Sequence, residues 1–231
     1  MTEAIILAGG KAERLGDAAQ GRPKALVLVA GRPLAAYQVR LLASAGVERV
    51  VVSCAAGAGA LFEAELSGFG AEIVPVEEPK PLGRGGGLRY AASALSESAS
   101  IYALNGDELL DVDLVALLRR HTNAGVAATI TVTHPSSPFG VVELGEADLV
   151  TGFDEAARVP YWVSCGVYVL GEEALDRLPE RGDHEASTFP ELAARGRLAA
   201  YRHEGLWITV NTPKDLRRAE EHIVAHPEWP T

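Results

Sequence analysis

Residues 4–27 read AIILAGGKAERLGDAAQGRPKALV. The run Ala4–Ala8 is short, apolar and β-branched, which reads as a buried strand. Gly9-Gly10 break it, and Lys11, Arg14, Arg22 and Lys24 then place four cations within fourteen residues before the hydrophobic pattern resumes at Ala25. Two adjacent glycines let backbone N–H groups approach a ligand closely, and cations at such spacing suit a triphosphate. The pattern is neither GxxxxGK[ST] nor GxGxxG, so it points away from a Walker-type loop and from a hydride-transferring dinucleotide enzyme. Taken alone, the stretch also reads as a solvated surface loop.

Outward from it, short β-rich runs alternate with amphipathic helical stretches, the signature of an α/β fold. Helices are expected at 33–46, 59–70, 86–98 and 111–125, the last with Asp111 as N-cap, and strands at 49–55, 71–76 and 100–107. Beyond residue 126 the strands 126–134, 139–145, 148–155 and 161–170 follow at short intervals and read as antiparallel. Helical segments near 171–178 and 188–195, strands 197–204 and 206–211, and a final helix capped by Thr212 with Pro213 at its first position complete the chain.

The 231 residues are 48% hydrophobic, enough for a core without staples, and carry a formal charge of -10. That charge repels nucleic acid and anionic membrane at long range, so neither is an expected partner and any phosphate ligand must meet local cations. Cys54 and Cys165 lie in apolar runs without CxxC or Cys/His spacing and read as buried free thiols. With no signal segment and no bilayer-length apolar run, the expectation is a cytoplasmic protein.

Two further loops fall at carboxyl ends of expected parallel strands, where open α/β sheets bind ligands. Pro81-Leu82-Gly83-Arg84-Gly85-Gly86-Gly87 opens a helix, and its glycines suit close approach of a flat base or an anion, or form a plain flexible turn. Asn105-Gly106-Asp107 ends a strand. An Asp there serves turns and caps, but followed by Glu108, Asp111 and Asp113 in a phosphate-seeking site it becomes a magnesium candidate.

In this order LAGGKAERLG…RPKAL, PLGRGGGLRYA, LNGDELLDVDL, GFDEAARVP, SCGVYVL and LWITVNTPKDL resemble the sugar-1-phosphate nucleotidylyltransferases. Their patterns are LAGGxGTRLxP…PK, PLGTAGAL, NGD, FxEKP, NAGIYxL and WxDxGTPxDL. The resemblance implies a Rossmann-like three-layer αβα sandwich with a mixed, mostly parallel sheet. It implies one nucleotidyltransferase domain over 1–231, with 1–125 mainly nucleotide-binding and 126–231 mainly sugar-phosphate-binding.

The implied reaction joins an NTP and a sugar 1-phosphate into an NDP-sugar and pyrophosphate, with Mg²⁺ as cofactor. The nucleophile is already a phosphate oxygen, largely dianionic near pH 7 because its second pKa is about 6, so no general base is needed. By position, Arg14 would clamp the triphosphate, Lys24 bridge the α-phosphate and the sugar phosphate, and Asp107 bind Mg²⁺. Leu7, Ala8, Gly9, Gly10 and Lys11 would line the nucleotide, with Gly83, Gly85 and Gly86 on its other side. Glu78 could accept from guanine N1–H and N2–H₂, which slightly favours GTP, and reads equally as a solvated residue of a proline-rich loop. Asn105, Gly140, Glu155, Arg158 and Gly166 would serve the sugar phosphate. A homo-oligomer is left open.

The departures are specific. Ala12 stands at a loop glycine, Glu13 at Thr, Arg84 at the Thr of GTAG, Ala156 at the Lys of FxEKP, and Thr209 at the second metal-binding Asp. Residues 209 and 211 share a strand face, so Asn211 could offer its amide oxygen to the metal, or merely cap the last helix. These changes keep two alternatives open: a catalytically weakened nucleotide-binding regulatory relative, and a nucleotidyltransferase with a non-sugar acceptor.

Overall fold

The computed structural model describes residues 2–96, 99–137 and 139–229. The first part runs β1 (Thr2–Leu7), a two-residue pair β2 (Leu28–Val29) and β3 (Arg32–Pro33), α1 (Leu34–Ser44), β4 (Val47–Ala55), α2 (Gly59–Leu66), β5 (Glu72–Glu78) and α3 (Gly83–Ala92). Then come β6 (Ser100–Asn105), β7 (Glu108–Leu110), α4 (Leu114–Ala124), β8 (Ala128–Thr133), β9 (Val141–Leu144), β10 (Val150–Asp154) and β11 (Val163–Gly171). The chain finishes with α5 (Glu172–Asp176), α6 (Thr188–Ala194), β12 (Leu198–Arg202), β13 (Trp207–Thr209) and α7 (Pro213–Ala225).

Seven strands form the central sheet in the order β12-β8-β11-β6-β1-β4-β5. Strand β11 pairs antiparallel with both neighbours and every other pairing is parallel, so the sheet is mixed and mostly parallel, as expected. The antiparallel expectation for the strands between 126 and 170 holds for β9 with β10 and for β8 with β11, and β12 then adds to β8 in parallel. Period-two alternation explains the two faces. Ala4 and Ile6 of β1 join Val50 and Val52 of β4 under α1, α2 and α4, while Ile5 and Val51 face α3, α5 and α6. A third cluster, with Leu15, Val29, Tyr37, Ile208 and Ile223, packs α7 onto the β2–β3 and β7–β13 pairs.

Several element ends differ from the sequence reading for local reasons. Helix α4 starts at Leu114, capped by Asp113, whose carboxylate accepts from the Ala116 N–H at 2.8 Å. Asp111, expected as the cap, instead lies 3.3 Å from His203 Nε2. Gly125 ends the helix in the left-handed region, and Thr212 forms a full capping box with Asp215 on α7.

Helix α3 begins at Gly83 rather than 86, so the glycine run lies inside its first turns; expected positions 97 and 98 lie outside the described residues. The approach these glycines permit is that of the chain itself. Gly85 and Gly86 N–H groups both donate to Gly182 O, at 2.9 and 3.3 Å. A Cβ at Gly85 would stand 2.7 Å from His184 N, and one at Gly86 2.7 Å from Glu180 O. Arg84 pairs with Asp183 and, at 2.7 Å, with Glu185, fastening the same segment.

His184 in that segment is fully buried, its ring 4.9 Å from that of Phe189 and 5.3 Å from that of Tyr168. Among the described residues neither ring nitrogen has a hydrogen-bond partner, and burial pushes its pKa down to about 4. The unfolded chain, with a histidine pKa of about 6.5, therefore binds a proton that the folded chain refuses between those values. Stability is flat above pH 6.5 and falls as pH drops towards 4, by on the order of 3 kcal/mol from this residue. Urea unfolding of His184→Leu at pH 7 and pH 4.5 should show a smaller acid loss than the parent; equal losses would refute the assignment.

Candidate active site

The carboxyl ends of β1, β5 and β6 open onto one cavity of about 800 Å³. Its wall includes Leu7, Ala8, Gly9, Gly10 and Lys11 after β1, Arg14 and Lys24 from the following loop, and Glu78 and Gly83 from the β5–α3 connection. Asn105, Gly106, Asp107 and Glu108 after β6, with Thr209 and Asn211 after β13, close the remaining side. The floor depends on a close approach: the Gly106 N–H donates to Leu7 O at 2.9 Å, and a Cβ on Gly106 would lie 2.6 Å from that oxygen. Gln38 supports the same turn from below, its Nε2 donating to Asn105 O and Glu108 O at 2.8 Å each.

At one end of the cavity, charges from three distant segments converge. Lys24 Nζ pairs with Asp107 and donates to Asn211 Oδ1 at 2.5 Å. Arg14 Nη2 donates to the same oxygen at 2.6 Å. Asn211, expected either to offer its amide oxygen to a metal or to cap the last helix, here accepts from Arg14 and Lys24 through Oδ1 and so fixes where those two cations stand. Its backbone N–H donates to Asp215, joining the start of α7 to this group.

On the wall formed by the β5–α3 connection, Glu78 accepts from Ser53 Oγ at 2.9 Å through Oε1 and from the Leu82 N–H at 3.0 Å through Oε2. A Cβ on Gly87 would stand 2.7 Å from Glu78 Oε1, and one on Gly9 3.4 Å from it. So the glycine of this run that makes room in the cavity is Gly87, by housing the Glu78 side chain. Gly85 and Gly86, expected at the nucleotide, do not line the cavity, because segment 179–184 covers them.

Other expected residues are also placed elsewhere. Arg22 turns away to Glu65 at 3.1 Å. Arg84 lines the cavity, but its charge is met by Asp183 and Glu185. Glu13 is exposed beside Lys11, 3.9 Å away, and Ala12 packs on the Leu15 cluster, so neither departure from the loop pattern projects into this cavity. Gly140, Glu155 and Arg158 belong to the segment around the exposed β9–β10 hairpin and do not line the cavity; a Cβ on Gly140 would strike the Phe153 ring. Gly166, at φ +72°, sits under Asn105, where a Cβ would be 2.6 Å from Nδ2.

Glu108 is the residue that sequence reading passed over, naming it only as a neighbour of Asp107. It is 5% exposed, and its Oε2 accepts from Trp207 Nε1 at 2.8 Å and Thr209 Oγ1 at 2.7 Å. Burial, and then the Asp107 charge, push its carboxyl well above the ordinary range, while Thr209, Trp207 and Lys24 pull the other way. Cys165, a buried free thiol like Cys54, is pushed up to about 12 by burial and by Glu108. No described helix is long and apolar enough to cross a membrane.

The fold has close counterparts. The chain superposes on HddC from Yersinia pseudotuberculosis with a TM-score of 0.75 at 19% identity, covering 96% of this chain and 100% of that one. It is 32% identical to mannose-1-phosphate guanylyltransferase of Mycobacterium tuberculosis, over 96% of this chain and 64% of the relative. It is 31% identical to the mannose-1-phosphate guanylyltransferase catalytic subunit beta of Drosophila pseudoobscura pseudoobscura, over 93% of this chain and 60% of the relative. The chain thus spans less than two thirds of the length of these two relatives. A family model, nucleotidyl transferase, matches residues 3–226. With that match over nearly the whole sequence, and the glycine-and-cation loop of residues 4–27 at the mouth of the cleft, the chain belongs to the nucleotidyl transferase family.

Proposed function

We propose that the chain transfers a guanylyl group from GTP to a sugar 1-phosphate. A phosphate oxygen of the sugar attacks the α-phosphorus, the bond between the α-phosphorus and the bridging oxygen breaks, and pyrophosphate leaves with that oxygen. The observation that carries this reading is the convergence of Arg14, Lys24 and Asp107 in a cleft whose wall also carries a carboxylate, Glu78.

Each part follows from charge. Two anions must be held together while negative charge builds at the α-phosphorus, and preorganised cations stabilise that charge without reorganising. Lys24 and Arg14, held by one amide oxygen, are such cations. Glu78 uses one acceptor site of each oxygen on Ser53 and Leu82, and each oxygen retains another. Those remaining sites match guanine N1–H and N2–H₂. The names of the curated relatives supply further support for guanine and make mannose 1-phosphate the first acceptor to try.

The donor set also fits Mg²⁺. That ion takes one or two carboxylates with phosphate oxygens and water, and Asp107 and Glu108 offer carboxylates at the phosphate end. When bound, Mg²⁺ would neutralise phosphate charge and orient the triphosphate.

Pyrophosphate release, measured with each of the four NTPs against a panel of sugar 1-phosphates, tests the proposal. GTP with mannose 1-phosphate should give the highest kcat/KM. GTP binding without turnover on any acceptor would replace the enzyme by a nucleotide-binding regulatory protein, and turnover confined to acceptors other than sugars would replace the substrate class.

A further inference from the structure

We propose that Glu108 supplies the carboxylate that strand β13 lacks, so that Asp107 and Glu108 together hold the divalent cation of this site. The inference rests on the guanylyl-transfer reading above and assigns a residue to it. Thr209, where the resembled pattern has an acidic residue, is the register partner of Glu108 across the β7–β13 pair. The carboxylate is therefore carried by the facing strand, one cross-strand step away.

Three observations support the placement. Residues 207, 209 and 211 share one face of an extended strand, and Thr209 and Asn211 of that face line the cavity. Trp207 and Thr209 both donate to Glu108 Oε2, which holds the carboxylate against that same face. Glu108 Oε1, by contrast, carries no hydrogen bond among the described residues, although the residue is only 5% exposed and lines the cavity. A carboxylate oxygen at a cavity wall without a protein partner is free to accept a ligand.

The pairing also accounts for the threonine. An aspartate at 209 would oppose Glu108 directly, and like charges facing each other across a strand pair are destabilising. Thr209 supplies a donor instead, so the facing pair Thr209 and Glu108 acts as one device. Asn211 accepts from Arg14 and Lys24 and carries no charge, so Glu108 is the carboxylate beside Asp107 on this wall of the cavity.

The test uses Mn²⁺ as probe, with α,β-methylene-GTP present, read by electron paramagnetic resonance. Glu108→Gln keeps an acceptor for Trp207 and Thr209 and should weaken Mn²⁺ at least tenfold, leaving metal-free binding of the analogue unchanged. The double variant E108Q/T209D, which returns a carboxylate to the strand, should recover most of the loss. Unchanged Mn²⁺ affinity in E108Q overturns the inference.

A second measurement needs no variant. With glutamate ¹³C-labelled at Cδ, Mn²⁺ in the unaltered protein should show a strong carboxylate carbon coupling. The other glutamate lining the cavity is Glu78, and the coupling should persist in Glu78→Gln and vanish in E108Q. Lack of the coupling overturns the inference even if E108Q folds poorly. Failure of the transferase reading would appear separately, as no pyrophosphate release by the unaltered protein.

Discussion

Lys24→Ala should lower kcat about a thousandfold, the scale seen when one preorganised charge-stabilising donor is lost, with KM for GTP changing only several-fold. The Lys24 ammonium stands between Asp107 and Asn211, largely buried, where its field is little screened. On the proposed reading Arg14 and Lys11 remain for the triphosphate, so ground-state binding should survive while the site loses the cation that pairs with Asp107. Lys24→Arg should rescue little, because a planar fork cannot replace a compact ammonium that donates to a carboxylate and an amide at once. Steady-state pyrophosphate release gives both constants. An equal rise of KM without loss of kcat would mean that Lys24 serves binding alone.

The second large effect concerns the base. Glu78→Gln should cut kcat/KM for GTP about a hundredfold, because a site built on buried polar groups penalises a mismatched partner heavily. A carboxylate offers two acceptors to guanine N1–H and N2–H₂; an amide sets one of its donors against a guanine donor. ITP, which lacks the 2-amino group, provides the control. The unaltered protein should prefer GTP over ITP, and in Glu78→Gln that preference should shrink towards unity. Stability should change little, since the amide oxygen can still accept from Ser53 or the Leu82 N–H. The same GTP-to-ITP ratio in both proteins would move base recognition elsewhere in the cleft.

Much of this arrangement was legible in the sequence, and the exceptions share a cause. Strands β1 and β4 announce themselves by β-branched runs whose alternate members pack on opposite faces. The loop after β1 and the turn at Asn105-Gly106-Asp107 carry their chemistry within a few residues, so their place in the cleft followed from strand ends alone. Gly85 and Gly86 were misread because a glycine run reports a close approach without naming what approaches; the visitor is segment 179–184, far along the chain. Asp111 lost the capping role to Asp113 because His203 holds it, and Arg22 left the phosphate side for Glu65. Glu108 escaped notice because its meaning lies in being opposite Thr209, and cross-strand register is set by tertiary pairing rather than by spacing. Gly140, Glu155 and Arg158 matched by motif position, yet their segment stands out from the cleft as an exposed hairpin.

The contact between α3 and segment 179–184 limits how the cleft can be re-engineered. It is made by backbone against backbone at Gly83, Gly85 and Gly86, with Gly182 O accepting from two N–H groups of the helix. Such a seam contains almost no rotamers to exchange, so a library that adds side chains at these positions would separate two segments before it touched a base. Altered nucleotide choice would have to come through Glu78 and its two glycine neighbours, Gly9 and Gly87. There, a change in side-chain length meets the open volume of the cavity on one side and a fixed wall on the other.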